Sequence, residues 1–465
     1  MKKGILFLFI SCHFFASSQL DTVPVLSYQD FIDIVKKEHP YARKAELKIN
    51  EGDATLLYAK GSFDPKLHTK IDQKYFKNDQ YYSLINGGLK IPTWFGIEVQ
   101  GGYEQNQGVF RNPENSTPNS GLLHAGISMP IGKGLLIDKR RAELKKARLF
   151  QQVSEMERQI ILNELVFNAG TSYWKWFKAY NKLMVYTDAQ RLAQERFEAV
   201  KLGARIGDRP DIDTLEAGIQ LQNRMLGLQQ SELELKNATA LLSIFLWADG
   251  IVPLELAEET VPISMDNAQI MGLRTPPFMQ IDSLVSAHPE LNQSRYKIDQ
   301  LEIDRRLKKN QLLPLFNLKY NPITENIGGE SLMNFSSNNY TWGLEFQMPV
   351  FLRKERGALK LAELKIQDSN LELENKQEIV RYKVISARNQ WQTTKQQIEL
   401  YAQTVKDANN LLEGERRLFD IGESSLFMVN SREVGFIKTQ LTFIELLTQN
   451  RQAELRVLYA IGKAF

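Results

Sequence analysis

Two periodicities alternate along the chain. Over Ile131 to Arg209, Asp211 to Val252 and Val350 to Phe465 there is no proline, so each stretch can run as uninterrupted helix. Within the first, Leu149, Val153, Met156 and Ile160 are spaced by four, three and four, and Phe167, Trp174 and Phe177 continue a related stripe between charged and amide residues. That is the pattern of an amphipathic helix. It predicts long helices over 140–206 and 353–421, each roughly 100 Å long at about 1.5 Å per residue. Shorter return helices follow over 211–247 and 426–461, and a helix of such length packs in a coiled-coil assembly. The reversals are legible too. Ile206-Gly207-Asp208-Arg209-Pro210 and Ile421-Gly422-Glu423-Ser424-Ser425 each place a glycine to end one helix and a proline or serine to start the next.

Ahead of each long helix the period falls to two. Lys66 to Phe76, Ser83 to Ile91, Gly96 to Glu104 and Leu122 to Met129 read as strands within 65–131, and Leu315 to Asn321 and Tyr340 to Met348 as strands within 314–349. The last two are joined by the Gly-, Ser- and Asn-rich segment 326–339. Tyr81, Tyr82, Trp94, Phe95, Tyr340, Trp342 and Phe346 sit near these strands, as in the interfacial girdles of membrane barrels; the edge of a soluble sandwich has a similar look. Before the strands, Tyr28 to Lys60 and Phe278 to Gln311 are helical patterns kinked or restarted at Pro40 and Pro289.

The halves are copies. His39-Pro40 returns as His288-Pro289 and Pro65 as Pro314, both 249 positions later, whereas Arg141, Trp176 and Gly207 return as Arg356, Trp391 and Gly422, each 215 positions later. The first repeat, 19–250, therefore carries 34 extra residues (249 − 215) between Pro65 and Arg140. A linker, 251–277, holds Pro253, Pro262, Pro276 and Pro277, and the second repeat runs over 278–465.

The start of the chain has a different character. Lys2 and Lys3, an apolar run from Ile5 to Phe15 and Ala16-Ser17-Ser18 read as a secretory signal over 1–18, cleaved after Ser18. The rival is a lipoprotein signal with Cys12 as the acylated residue. Cys12 is the one cysteine of the chain, which excludes a disulfide scaffold or a zinc site of cysteine pairs. After the leader no run of about 18 apolar residues occurs, so any membrane crossing must use strands. The net charge of +3 gives no reason to expect nucleic acid as a partner.

Catalytic chemistry is not visible. The five histidines show no metal-ligand spacing, and no phosphate-binding or nucleophile motif is present. We expect no catalytic residue, no metal and no cofactor; His39 and His288 read as helix-entry residues. Lys139-Arg140-Arg141 with Lys145-Lys146 either faces lipid headgroups or is a solvated helix start.

Signal, paired repeats of helix, strands, long helix, Ile-Gly turn and return helix together resemble the TolC-type outer membrane efflux protein family. The resemblance covers essentially the whole mature chain. It rests most specifically on Ile206-Gly207 followed by Asp213-Thr-Leu-Glu-Ala217, on Ile421-Gly422 followed by Met428-Val-Asn-Ser-Arg432, and on the His-Pro steps where the family usually has Asn-Pro. It implies a mostly α fold with a β membrane part: duplicated long helical hairpins forming a trimeric α-barrel in the periplasm, with strands contributing to a shared outer membrane β-barrel. Lipid of the outer membrane surrounds the strands. The implied work is passive conduction from an inner membrane transporter, through a periplasmic adaptor (membrane fusion) protein, to the exterior. Six strands per chain would give eighteen in a trimer, while four, as in family members, would give twelve; twelve is the expectation here, with the extra residues forming a hairpin beyond the membrane or lengthening existing strands.

The resemblance also implies a gate and a contact surface. TolC closes with acidic residues in the second return helix, at positions that here are Met428 and Ser431, so an aspartate ring does not transfer directly. Asp213 and Glu216 supply acids in the first repeat instead, with Arg209 placed to pair with them; alternatively they serve the helix dipole. Phe427 and Met428 are candidates for an apolar constriction. The hairpin tips that meet the adaptor in relatives correspond to Ile206, Gly207, Asp208, Ile421, Gly422 and Glu423. The competing reading of the whole chain is a periplasmic coiled-coil adaptor or structural protein whose strands form a soluble domain.

Overall fold

A computed structural model describes residues 24–272, 281–325 and 335–465. The leader with Cys12, the end of the linker, the first residues of 278–311 and most of 326–339 lie outside the described residues. Contacts divide the chain into two compact units, one of Met1–Glu38, Ala169–Leu273 and Thr394–Gln452, the other of His39–Asn168, Arg274–Thr393 and Ala453–Phe465.

Helices dominate. The first repeat holds α1 (Tyr28–Glu38), α2 (Pro40–Gly61), α3 (Lys139–Arg205) and α4 (Asp211–Ser243). The short α5 (Met265–Ile270) follows, and then come α6 (Ile281–Ser286), α7 (Pro289–Asn310), α8 (Arg353–Asp420) and α9 (Leu426–Ala460). The long helices contain 67 and 68 residues, and α2 and α7 contain 22 each. Both of the latter begin on the same device. His39 and His288 are N-caps whose Nδ1 atoms accept from the amides of Tyr41 and Glu290 at 3.1 and 3.2 Å, while the following proline fills the first helical position. The breaks at Pro40 and Pro289 are therefore restarts with a built cap.

In the first unit an aromatic cluster seats α1 on α3. Tyr28 and Phe31 pack on Tyr173 at ring-centroid distances of 5.5 and 5.8 Å, Tyr28 stacks on Trp174 at 5.6 Å, and Trp176 and Phe177 complete the cluster. The hydroxyl of Tyr173 donates to the carbonyl of Leu26 at 2.8 Å, beside the short parallel pairing of Val25–Leu26 with Val261–Pro262. In the second unit Val285, Leu291, Val380, Val384, Val457 and Ile461 form a buried core among α6 to α9.

The second unit also holds one antiparallel sheet. Its strands are β1 (Lys66–Phe76), β2 (Asp79–Pro92), β3 (Glu98–Gln107), β4 (Leu122–Gly132), β5 (Leu315–Glu325) and β6 (Tyr340–Gln347), paired in chain order. The β4–β5 ladder, from Leu122 opposite Glu325 to Gly132 opposite Leu315, joins the strands of the two repeats. Six strands share one sheet, and the residues inserted in the first repeat build a further hairpin within it rather than lengthening the existing strands. The reason is in the alternation, which the inserted strands carry as fully as the others.

Register makes that alternation two-sided. On one face stand Leu67 and Ile71, Leu89 and Ile91, Val99, Ile127 and Ile131, Phe316 and Tyr320, and Trp342, Leu344 and Phe346. On the other stand Lys66, His68 and Lys70, Asn86 and Lys90, Glu98 and Gln100, His124 and Ser128, Asn317, Lys319 and Asn321, and Glu345. The polar face ties itself together laterally: Gln100 donates to Asn321 at 2.7 Å and Ser128 to Asn317 at 3.0 Å. The apolar face is uncovered, with Leu67, Trp342 and Phe346 at 82%, 66% and 60% exposure. A soluble sheet buries its apolar face, so this one is made for a partner or a solvent that is itself apolar.

The cap on α7 gives a pH prediction. Burial pushes the His288 imidazole below its ordinary pKa, Glu290 opposes this and Lys383 adds to it. The folded state therefore holds the ring neutral, as an acceptor, while the unfolded chain takes up a proton near pH 6.5. The stability this contributes is full above that pH and is lost as the pH falls through it toward the lower folded value. We expect the melting temperature to drop between pH 7.5 and 5.5, and His288→Asn, which keeps a capping acceptor without the proton, to reduce that drop in thermal melts at the two pH values.

Candidate functional site

The hairpin turns of both repeats lie in the first unit and are built alike. Gly207 and Gly422 have φ of +78° and +79°, the left-handed conformation in which a side chain is strained. After each glycine the chain closes back on its helix, Asp208 to the carbonyl of Gly203 at 2.9 Å and Glu423 to that of Leu418 at 2.8 Å. Ile206 and Ile421, just before the glycines, are 72% and 69% exposed. Asp208 and Glu423 are exposed as well, so each apex presents one apolar and one acidic side chain around a bare backbone.

Behind the apices the two hairpins pack on one another. Val200 of α3, Ala217 of α4 and Leu426 of α9 form a small buried cluster with Phe197 and Phe419. The Arg209 guanidinium lies over the Phe419 ring, 4.7 Å from its centroid. Among the described residues Arg209 forms no ion pair with Asp213 or Glu216 of its own chain; the cation reaches across to the second repeat's long helix.

One step from the cluster is a polar layer contributed by all four hairpin helices. Arg196 of α3 donates to Asn430 of α9 at 2.9 Å, and Asn430 donates in turn to Glu216 of α4 at 2.9 Å. Arg196 also pairs with Glu433 of α9, which Arg416 of α8 approaches to 3.7 Å. Asn430 and Glu433 are each 4% exposed. Nearer the turn, Ser424 donates to Glu415 at 2.5 Å and Arg432 pairs with the same carboxylate at 3.3 Å. The Ser424 hydrogen bond, then Arg432, holds the Glu415 carboxyl below the usual range.

The other anticipated residues fall around this layer. Asp213 is half-buried in the first turn of α4, its amide bonded to the carbonyl of Pro210, and with Asp211 it suits that helix end. Ser425 caps α9, accepting from the Met428 amide at 3.3 Å. Phe427 and Ser431 are exposed and Met428 is half-buried. The structure thus brings Glu216 into the layer and leaves Asp213, Phe427, Met428 and Ser431 outside it.

Arg196, Arg416, Asn430 and Glu433 were not anticipated, although a signal exists. Leu426, Asn430, Glu433, Ile437, Ile444 and Leu447 fall on one heptad stripe of α9, all buried, and two polar residues in such a stripe mark an internal polar layer.

Residues 281–463 match the outer membrane efflux protein family. The chain resembles the TolC-type outer membrane efflux family. No curated protein matches it in sequence. Among solved structures it is similar to the CmeC outer membrane channel of Campylobacter jejuni, with a TM-score of 0.64 and 14% identity over 94% of this chain and 86% of that one. It is similar to the open state of the Neisseria gonorrhoeae MtrE outer membrane channel, with a TM-score of 0.67 and 12% identity over 94% and 89%. The outer membrane protein VceC of Vibrio cholerae gives 0.62 and 13% over 94% and 96%. At these identities the likeness is one of fold: long helical hairpins with strands inserted in each repeat. Among the described residues of this TolC-type fold no helix is long and apolar enough to cross a membrane.

The polar layer makes a local prediction. Arg196→Ala leaves Glu433 buried with only the more distant Arg416, a loss of about 3 kcal/mol in local stability. Hydrogen exchange in the first turns of α9 should accelerate roughly 100-fold. Adding Glu433→Gln, which removes the buried charge, should restore much of the protection.

Proposed function

We propose that this chain is the outer membrane duct of a tripartite efflux or secretion system. It assembles as a homotrimer, takes substrates from an inner membrane transporter through a periplasmic adaptor (membrane fusion) protein, and conducts them passively to the exterior. The observation that carries the reading is the sheet of six strands, uncovered and apolar on one face, polar on the other, and open at both edges, β1 and β6. Outer membrane barrels have that alternation, lipid outside and water inside. Three sheets of six strands close a barrel of eighteen, every edge paired with a neighbouring chain. The even number per chain lets β6, running down, meet β1 of the next chain, running up, in the antiparallel sense that the other ladders have.

In this reading the helices lie in the periplasm with their tips toward the adaptor. Ile206, Gly207, Asp208, Ile421, Gly422 and Glu423 form the contact surface, where an exposed isoleucine beside a bare glycine backbone allows close approach. The gate is the region just behind. The polar layer holds the two hairpins of a chain together, Asp213 faces the entrance, and Phe427, Met428 and Ser431 line the approach from the second repeat.

Two measurements test this. On the sheet, Ile127→Arg puts a charge on the lipid face and costs about 2–4 kcal/mol near a bilayer midplane, whereas Ser128→Arg puts it in water. The first variant should fail to give a heat-modifiable oligomer in the outer membrane fraction and the second should give it. Equal behaviour of the two, or a soluble monomer released by osmotic shock, returns the chain to the coiled-coil adaptor reading. At the tips, purified protein in planar bilayers should show a small stable conductance that rises in Asp213→Ala with Glu216→Ala, because the double variant removes an entrance acid and one partner of Asn430. An unchanged conductance moves the constriction to Phe427 and Met428.

A further inference from the structure

The polar face of the sheet ends, where it meets the start of α3 and the end of α7, in a cavity of about 510 Å³. Five cations line it: Lys90, Lys133, Lys139, Arg140 and Lys319. Two carboxylates do so as well, and both are engaged. Glu98 lies 3.5 Å from Arg140, and Asp138 caps α3 by accepting from the Arg141 amide at 2.8 Å while its other oxygen faces the Arg141 guanidinium at 3.3 Å. Among the described residues Lys90, Lys133 and Lys319 enter no ion pair. The acids Glu104 and Glu325 of the same face stand at its other end, each opposite Leu122.

The way α3 begins sharpens the point. Lys139, Arg140 and Arg141 occupy its first turn with no acid among them, at the end of a helix whose dipole already favours anions. Asp138 at the cap and Glu143 one turn in supply the carboxylates that this helix end favours. Each of the three cations has a carboxylate within the chain, Glu143 at 3.9 Å, Glu98 at 3.5 Å and Asp138 at 3.3 Å. The unpaired positive charge of the cavity therefore lies on Lys90, Lys133 and Lys319, and the group that offsets it is an anion brought from outside the chain.

We propose that this cavity receives oxyanions, the phosphate or carboxylate groups of the solute being conducted, and that it makes the duct prefer anions. The inference rests on the duct reading, which turns the polar face toward the lumen and the apolar face toward lipid. In a trimer the three cavities ring the path just below the barrel, within reach of a passing solute at a screening length of about 8 Å. The lipid headgroup, which shares the phosphate chemistry, belongs to the opposite face of the sheet.

Reversal potentials in a KCl gradient, measured in bilayers of zwitterionic phosphatidylcholine, test it. The wild type should favour chloride, and Lys90→Gln with Lys133→Gln and Lys319→Gln should lower the chloride-to-potassium permeability ratio roughly threefold or more. Tripolyphosphate should block the wild type and leave the triple glutamine variant open. The corresponding triple Lys→Arg variant, which keeps the charge, should behave as wild type and controls for a disturbed fold. Channels with the same ratio in all three proteins overturn the inference and leave the duct standing. So does loss of co-purifying anionic lipid from the glutamine variant with selectivity unchanged, which assigns the lysines to headgroups. Absence of any channel where a control porin inserts overturns the duct reading itself.

Discussion

An amphipathic sheet with two free edges is an unfinished structure. Each unpaired amide or carbonyl along β1 and β6 costs several kcal/mol if it is carried into hydrocarbon without a partner. In water those groups are satisfied, but then the apolar face of Leu67, Trp342 and Phe346 is the liability. No arrangement of this one sheet resolves both demands. Closure with further copies does, because the edges vanish and the two faces separate into a lipid side and a water side. The six-strand count matters for the same reason: an odd number would set a parallel pair at every junction, and an insertion that broke the alternation would put polar residues into lipid.

The helical part meets the opposite problem. Helices of 67 and 68 residues satisfy their own backbone, so what must be specified is register against each other. Apolar stripes alone tolerate sliding by a heptad. Asn430 and Glu433, placed in the stripe of α9, remove that freedom because only one register brings Arg196 and Glu216 to them. The cost is modest when every member is satisfied and large when one is missing. The aromatic seat of α1 on Tyr173 and Trp174 acts in the same sense, fixing a short helix at one point along a long one.

Much of this was readable before any coordinates. Proline spacing gave the long helices to within a residue or two at most ends, since proline is excluded from helix interiors for reasons that tertiary packing rarely overrides. The Ile-Gly turns were equally plain, because a left-handed residue has few solutions. The His-Pro steps announced restarts, and the histidine side chains turned out to be the caps. All six strands were read, but not that they form a single sheet. Alternation identifies strands without saying which sheet they join, and the expectation leaned on a resemblance where the inserted residues themselves carried the answer. The tip layer was missed for another reason: Arg196 and Glu433 are far apart in sequence, and each looks like an ordinary surface charge until the heptad of α9 is laid out.

The proposed gate has to hold and also to let go, and the tip chemistry suits that pair of demands better than a purely apolar seam would. Burying side chains such as Val200 and Leu426 contributes about 1.5–3 kcal/mol each, and that stabilisation can be withdrawn only by exposing them to water. Hydrogen bonds and ion pairs behave differently. Their net contribution is small because water or another protein can replace each partner, so a surface that offers carboxylates to Arg196 or donors to Glu216 exchanges one set of bonds for another at little cost. The small size of the apolar cluster and the neighbouring cation–π contact of Arg209 fit a closure that is specific in geometry yet shallow in energy. In the duct proposed here, whose opening would be driven by the binding of a partner rather than by chemistry of its own, a shallow closure is what the available binding energy can overcome.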